Sequence, residues 1–142
     1  MTVEFPIDGL LEVSFKNRFR LIGGIPGVTE HEYFIVVPSQ KAEPFYWLLD
    51  EGDQRIFLLI LDPQVVFQNY NPRINRADLQ TAGINEEDYY LYCIVNFADP
   101  DNPTINLRSP IVLGKESHVG RQMILQDDQY DIRTPLLVHT EV

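Results

Sequence analysis

The sequence predicts a mainly β fold: a small barrel or pseudo-barrel of about eight to ten short strands, capped by one short helix around Asn75–Gly83. Three observations carry this expectation. Short runs alternate apolar and polar residues with a period of two. Gly and Pro punctuate the chain at short, regular intervals. Only one stretch carries both a helix start and a helix stop signal. A chain of 142 residues with 44% hydrophobic content suits one domain, 1–142, with a sizeable core.

In order along the chain, "LLEVSF" alternates Leu11, Val13 and Phe15 with Glu12 and Ser14, and "RFRLI" turns Phe19 and Leu21 inward. "GGIPG" is a turn, since Gly tolerates positive φ and Pro fixes its own. Thr29 stands three residues before Glu32, a capping-box spacing that predicts one helical turn over "TEHEY". "FIVVP" is a strand ended by Pro38. "FYWLL" and "RIFLLIL" form a hairpin around "DEGD", with Gly52 expected to supply the special backbone angle. Both arms are apolar on both faces, so the outer face needs a cover.

"VVFQNYNPRI" is expected to be extended as far as Pro72. Asn75 then caps "RADLQTAG", with Asp78 in the first turn and Gly83 as the stop. In "NEEDYYLYCIVNF" an acidic loop leads into a strand with Leu91, Cys93, Val95 and Phe97 on one face. Tyr90, Tyr92, Ile94 and Asn96 occupy the other. After a turn at "ADPDNP", the runs "TINL", "PIVL" and "RQMIL" are short strands separated by Gly114 and Gly120.

Composition narrows the function. The longest apolar run, Ile56 to Leu61, is six residues, far short of the ~20 that cross a bilayer. No export signal is expected at "MTVEFPIDGL". Cys93 is the single cysteine, which suits a reducing cytosol and a buried, hydrophobe-like thiol. With 21 acidic residues against 11 basic, the chain would be repelled by nucleic-acid phosphates, and a basic protein partner is favoured over direct RNA or DNA binding. No cofactor or metal site is expected: His31, His118 and His139 are far apart, and "GGIPG" lacks the Lys-Ser/Thr of a phosphate loop. Paired acids such as Glu86/Glu87 lie on polar loops, which do not supply the burial that proton-transfer carboxylates need.

Several phrases occur together in order: "GIPG" before a short predicted helix, "PFYWLL" in the hairpin, then "LDP" with Phe67 and Tyr70 after it. "INLRSPIVL" follows, and last "GRQMIL" with Tyr130, Ile132-Arg133 and Pro135-Leu136. From about Val3 to Leu136 the chain resembles the flagellar assembly factor FliW family. It differs at Val28, where that family usually has an aromatic residue, at Ser109, where it often has Ala, and at Leu113-Gly114, where it often has Ile-Asn. The resemblance implies a non-enzymatic cytoplasmic regulator with a small barrel-like domain and two protein partners. These are flagellin and CsrA, a small RNA-binding dimer that represses flagellin translation. Flagellin and CsrA would compete for it.

For such a protein, Phe67, Asn69, Tyr70, Asn106 and Arg108 are the expected partner-binding residues, because exposed aromatics beside Asn and Arg suit an interface hot spot. The alternative is that Phe67 and Tyr70 pack inward and the polar residues satisfy turns. Glu86, Glu87 and Asp88 are expected to form an electrostatic face that repels RNA, together with the runs "DEGD", "DPD" and "DDQYD". Two further readings stay open, a small-ligand-binding barrel and a general chaperone-like module. A rise in melting temperature with nucleotides or flavins would favour the first, and capture of many clients the second.

Overall fold

The computed structural model describes residues 1–126 and 128–136. Its strands are β1 (Thr2–Phe5), β2 (Gly9–Glu12), β3 (Arg18–Leu21), β4 (Tyr33–Pro38), β5 (Tyr46–Asp50) and β6 (Phe57–Leu61). After the helix α1 (Arg76–Ala82) come β7 (Tyr89–Asn96), β8 (Thr104–Ile105), β9 (Ile111–Gly114), β10 (Val119–Gln122) and β11 (Thr134–Pro135). Seven strands close a barrel in the order β7-β6-β5-β4-β3-β10-β9, with β9 pairing back onto β7. All these pairs are antiparallel except β3 with β10. β8 and β11 extend the sheet beyond β7, and β1–β2 is a separate hairpin.

Both faces of the central strands are buried, as the apolar hairpin requires. Phe34, Val36, Leu48, Ile60, Tyr92, Ile111 and Leu113 fill the barrel. The alternate residues Ile35, Val37, Trp47, Leu49, Leu59, Leu61, Cys93 and Val95 face outward. Val3, Phe5, Leu11 and Val13 of the β1–β2 hairpin cover them, together with Leu125, Tyr130 and Leu136. Leu79 and Ala82 of α1 cap a third cluster with Ile84, Val112 and Met123. Ile25, carried by the "GIPG" loop, is buried in the barrel cluster and plugs one end. At Gly120 a Cβ would come 2.5 Å from both Leu113 and the Val112 carbonyl, so only glycine fits the barrel wall there.

The helix is as expected. Asn75 Oδ1 accepts from the Ala77 and Asp78 N–H groups, and Gly83 ends the helix at φ 75°. Other expectations are corrected. Phe15 is exposed in a short 3-10 turn, because the strand ends at Glu12. No helical turn forms over "TEHEY": Thr29 Oγ1 donates to Asp50 (2.9 Å), and Glu32 accepts from Gly23 N–H (2.8 Å) and Arg20 (3.0 Å). Gly52 is not in the positive-φ region; a Cβ there would lie 3.0 Å from the His31 ring. The stretch after Pro63 is a 3-10 turn and loop, not an extended segment. The regular part of the last barrel strand is Val119–Gln122, which starts before "RQMIL" and includes only its first two residues. β1 and β11 were not anticipated. No helix among the described residues is long and apolar enough to cross a membrane.

Candidate functional site

The loop after β6 is built from its own polar groups. Asp62 accepts from Gln64 N–H (3.0 Å), Phe67 N–H bonds to Pro63 O (2.8 Å), and Tyr70 N–H to Phe67 O (2.9 Å). The Tyr70 ring is then driven inward, with 3% of its surface left exposed. Its hydroxyl donates to the Leu107 carbonyl (2.7 Å), and Tyr130 packs edge-on against it with ring centroids 4.7 Å apart. The Tyr130 hydroxyl accepts from Asn71 N–H (3.2 Å). Burial holds the Tyr70 phenol far above its ordinary pKa, so it remains a neutral donor.

That clamp brings two of the predicted segments together. Val66, Phe67, Gln68, Asn69 and Tyr70 form one wall of a groove, and Leu107, Gln129 and Tyr130 form the other. Asn106 and Arg108 flank Leu107. Asn106 Oδ1 accepts from the Arg108 and Ser109 N–H groups (3.1 and 3.0 Å), so its side chain is committed to a turn. Arg108 reaches Asp128 (3.1 Å) at the rim, where Asp131 is also exposed. Of the predicted residues, Phe67 is half-buried, Asn69 is exposed, and Tyr70 positions the wall from beneath rather than presenting a surface. Val66, 42% exposed, was missed, as were Leu107 and Tyr130. Tyr130 stood in the recurring phrases, while nothing local marked Val66.

The acidic loop sits elsewhere. Glu86 pairs with Arg76 (3.0 Å), Asp88 pairs with Lys115 (3.5 Å), and Glu87 is exposed with no cation beside it among the described residues. "DEGD" is not a free acidic run. Asp50 is fully buried and accepts from Thr29, His31 Nδ1 (2.8 Å) and Gly52 N–H (2.8 Å). Glu51 pairs with Arg18. Hydrogen bonds from the Arg55 side chain and backbone hold the Asp53 pKa down to about 2. In "DDQYD", Asp127 lies outside the described residues.

Burial pushes the Cys93 thiol up to about 12, which removes it as a nucleophile at neutral pH. His118 donates from Nδ1 to the Arg18 carbonyl (2.8 Å) and stacks on Phe19; His139 lies outside the described residues. A pocket in the barrel is lined by Asn17, Tyr46, Tyr90, Tyr92, Lys115 and His118 together with the apolar Phe19, Val36 and Leu113 of the barrel cluster.

A family profile described as FliW protein matches residues 3–136. The flagellar assembly factor FliW of Thermotoga maritima is 33% identical over 128 residues, covering 88% of this chain and 86% of the relative. That of Clostridium kluyveri is 33% identical over 138 residues, covering 96% and 95%. A solved structure titled as the crystal structure of the flagellar assembly factor FliW superposes with a TM-score of 0.82 at 28% identity, covering 99% of this chain and all of that one.

Proposed function

Since this chain belongs to the FliW family, we propose that it is a cytoplasmic, non-enzymatic flagellar assembly factor that binds flagellin and the translational repressor CsrA. When flagellin is exported, the freed protein sequesters CsrA and relieves repression of flagellin mRNA; unsecreted flagellin reverses this by occupying it. The observation that carries the proposal is the family match over nearly the whole chain.

The groove between Val66–Tyr70 and Leu107–Tyr130 is the docking surface we assign to CsrA. Phe67 and Val66 supply apolar area, Asn69 and Arg108 supply polar contacts, and Asn106 and Tyr70 hold the walls in place. Exposed Asp131, beside Asp128 whose charge Arg108 partly offsets, suits a basic, RNA-binding partner.

Once docked, the acidic surface would repel RNA without covering the RNA site. Two unit charges ~8 Å apart in water interact by about 0.5 kcal/mol, and one Debye length of screening leaves ~0.2. One carboxylate is negligible, whereas roughly five to ten acting together reach ~1–2 kcal/mol, a common size for coupling between sites. Glu87 has no cation beside it among the described residues, while Glu86 and Asp88 are partly offset by Arg76 and Lys115.

Binding of purified CsrA at low salt, with flagellin as competitor, tests the proposal; no binding would sink it. Reversing Glu86, Glu87 and Asp88 together should leave CsrA docking intact but weaken RNA displacement in a gel shift. Displacement equal to that of the parent removes this loop from the mechanism.

A further inference from the structure

β10 does not stop where its regular pairing stops. Met123 N–H donates to Pro110 O (2.8 Å) and Leu125 N–H to Arg108 O (2.9 Å), continuing the antiparallel register that pairs Gln122 with Ile111. The ladder becomes one-sided because Pro110 has no N–H to return and Arg108 N–H is taken by Asn106. Since backbone groups alternate sides along a strand, those of Ile124 point the other way. On that side β3 is last held by Ile22 N–H on Gly120 O (2.9 Å), then leaves at Gly23 (φ 82°). Nothing among the described residues bonds to the Ile124 main chain. Its side chain is 67% exposed.

This bare edge borders a groove whose opposite wall is Arg73, Ile74, Asn75 and Asp78. Arg73 is exposed and in no ion pair among the described residues. An unpaired N–H and C=O flanking an apolar floor ask for main chain, the requirement met by strand addition.

We propose that this groove receives an extended segment of flagellin, added as a strand along Ile124, with an apolar side chain against Ile74 and a carboxylate for Arg73. This rests on the partner assignment above. Charge selects the occupant. Arg73 and Asp78 make the groove neutral on a chain of net charge −10, which suits a non-basic segment better than basic CsrA. A second copy would bring the same −10 against itself. The groove adjoins the CsrA surface through the Arg108–Leu125 rung, so two large partners would exclude each other.

The test measures affinities for purified monomeric flagellin and for CsrA, separately, by calorimetry. Ile124→Pro removes the N–H at an exposed edge, where proline is tolerated. It should weaken flagellin at least tenfold and change CsrA less than twofold, while Ile124→Val changes neither more than twofold. In the parent, flagellin should slow hydrogen exchange at the Ile124 amide, which decides the matter if the proline variant fails to fold. Flagellin binding unchanged in Ile124→Pro, an equal loss for both partners, an unprotected Ile124 amide or parent self-association through this edge would each overturn the strand addition alone. A parent that binds neither partner would overturn the partner assignment and this inference with it.

Discussion

The barrel interior and the layer outside it are both apolar, yet they are held by different means. Inside, Phe34, Leu48, Ile60, Ile111 and Leu113 are buried on strands whose ladders already fix their positions, and shape alone completes the packing. Outside, the β1–β2 hairpin covers Trp47 and Leu49 without sharing a ladder with the barrel. It is pinned instead by one carboxylate. Asp8, 8% exposed, accepts from Trp47 Nε1 (2.7 Å), Ser39 Oγ (2.7 Å), Gln40 N–H (2.9 Å) and Lys41 N–H (2.7 Å).

The turn that aims this carboxylate is strained. Asp8 N–H bonds to Pro6 O (2.6 Å) around Ile7 at φ 69°, a γ-turn of the rarer hand that β-branched residues avoid. Strain of ~1–2 kcal/mol is outweighed by hydrogen bonds to a buried anion, each worth ~1.5–3 kcal/mol. Where no ladder reaches, a covering segment needs a polar anchor.

The largest effects should separate these two means. Phe34→Ala and Asp8→Ala should each cost ~3–5 kcal/mol in urea unfolding, the first through a cavity, the second by stranding the buried Trp47 and Ser39 donors and loosening the part-buried Gln40 and Lys41 N–H groups. If Asp8→Ala costs under ~1 kcal/mol, the hairpin is held by apolar contact alone.

Acid distinguishes them further. Burial disfavours the Asp8 anion, but the Trp47, Ser39, Lys41 and Gln40 donors outweigh it and hold its pKa below the ordinary value. Its stabilisation is therefore present above an ordinary carboxyl pKa and lost as pH falls below ~4. The stability gap between parent and Asp8→Asn should shrink from pH 7 to pH 3, while the Phe34→Ala gap should not track this titration.

A smaller effect is expected at the groove. Tyr70→Phe removes the donor to Leu107 O, costing ~1–2 kcal/mol, and should lower CsrA affinity through the loosened wall. Ile7→Gly should be smallest and opposite in sign. It relieves the turn, offset by glycine's entropy, for a net gain of up to ~1 kcal/mol in unfolding free energy. Destabilisation there would mean Ile7 packs usefully.

Much of this was legible along the chain. The alternation in "YYLYCIVN" correctly sorted Cys93 and Val95 from Tyr92 and Ile94, now on opposite faces of one wall. The Asn75 cap and Gly83 stop bounded α1. Failures share a cause. Thr29 and Glu32 had the spacing of a capping box, but their hydrogen-bonding groups went to Asp50, Gly23 and Arg20. Asp50 read as one acid of a surface run and is fully buried. In the candidate site, the aromatic segment was legible, but whether Tyr70 faced solvent or Leu107 was not.

What the sequence determined by itself was the set of strands, turns and two-sided apolar stretches, because these depend on neighbours a few residues away. What only the tertiary structure decided was the parallel β3–β10 closure, the anchor at Asp8, the groove joining Phe67 to Leu107 and the bare edge at Ile124. Each is a meeting of segments distant in the chain. A polar or aromatic residue carries its capacity to bond in its own chemistry, while its partner is chosen by the packing that brings another segment to it.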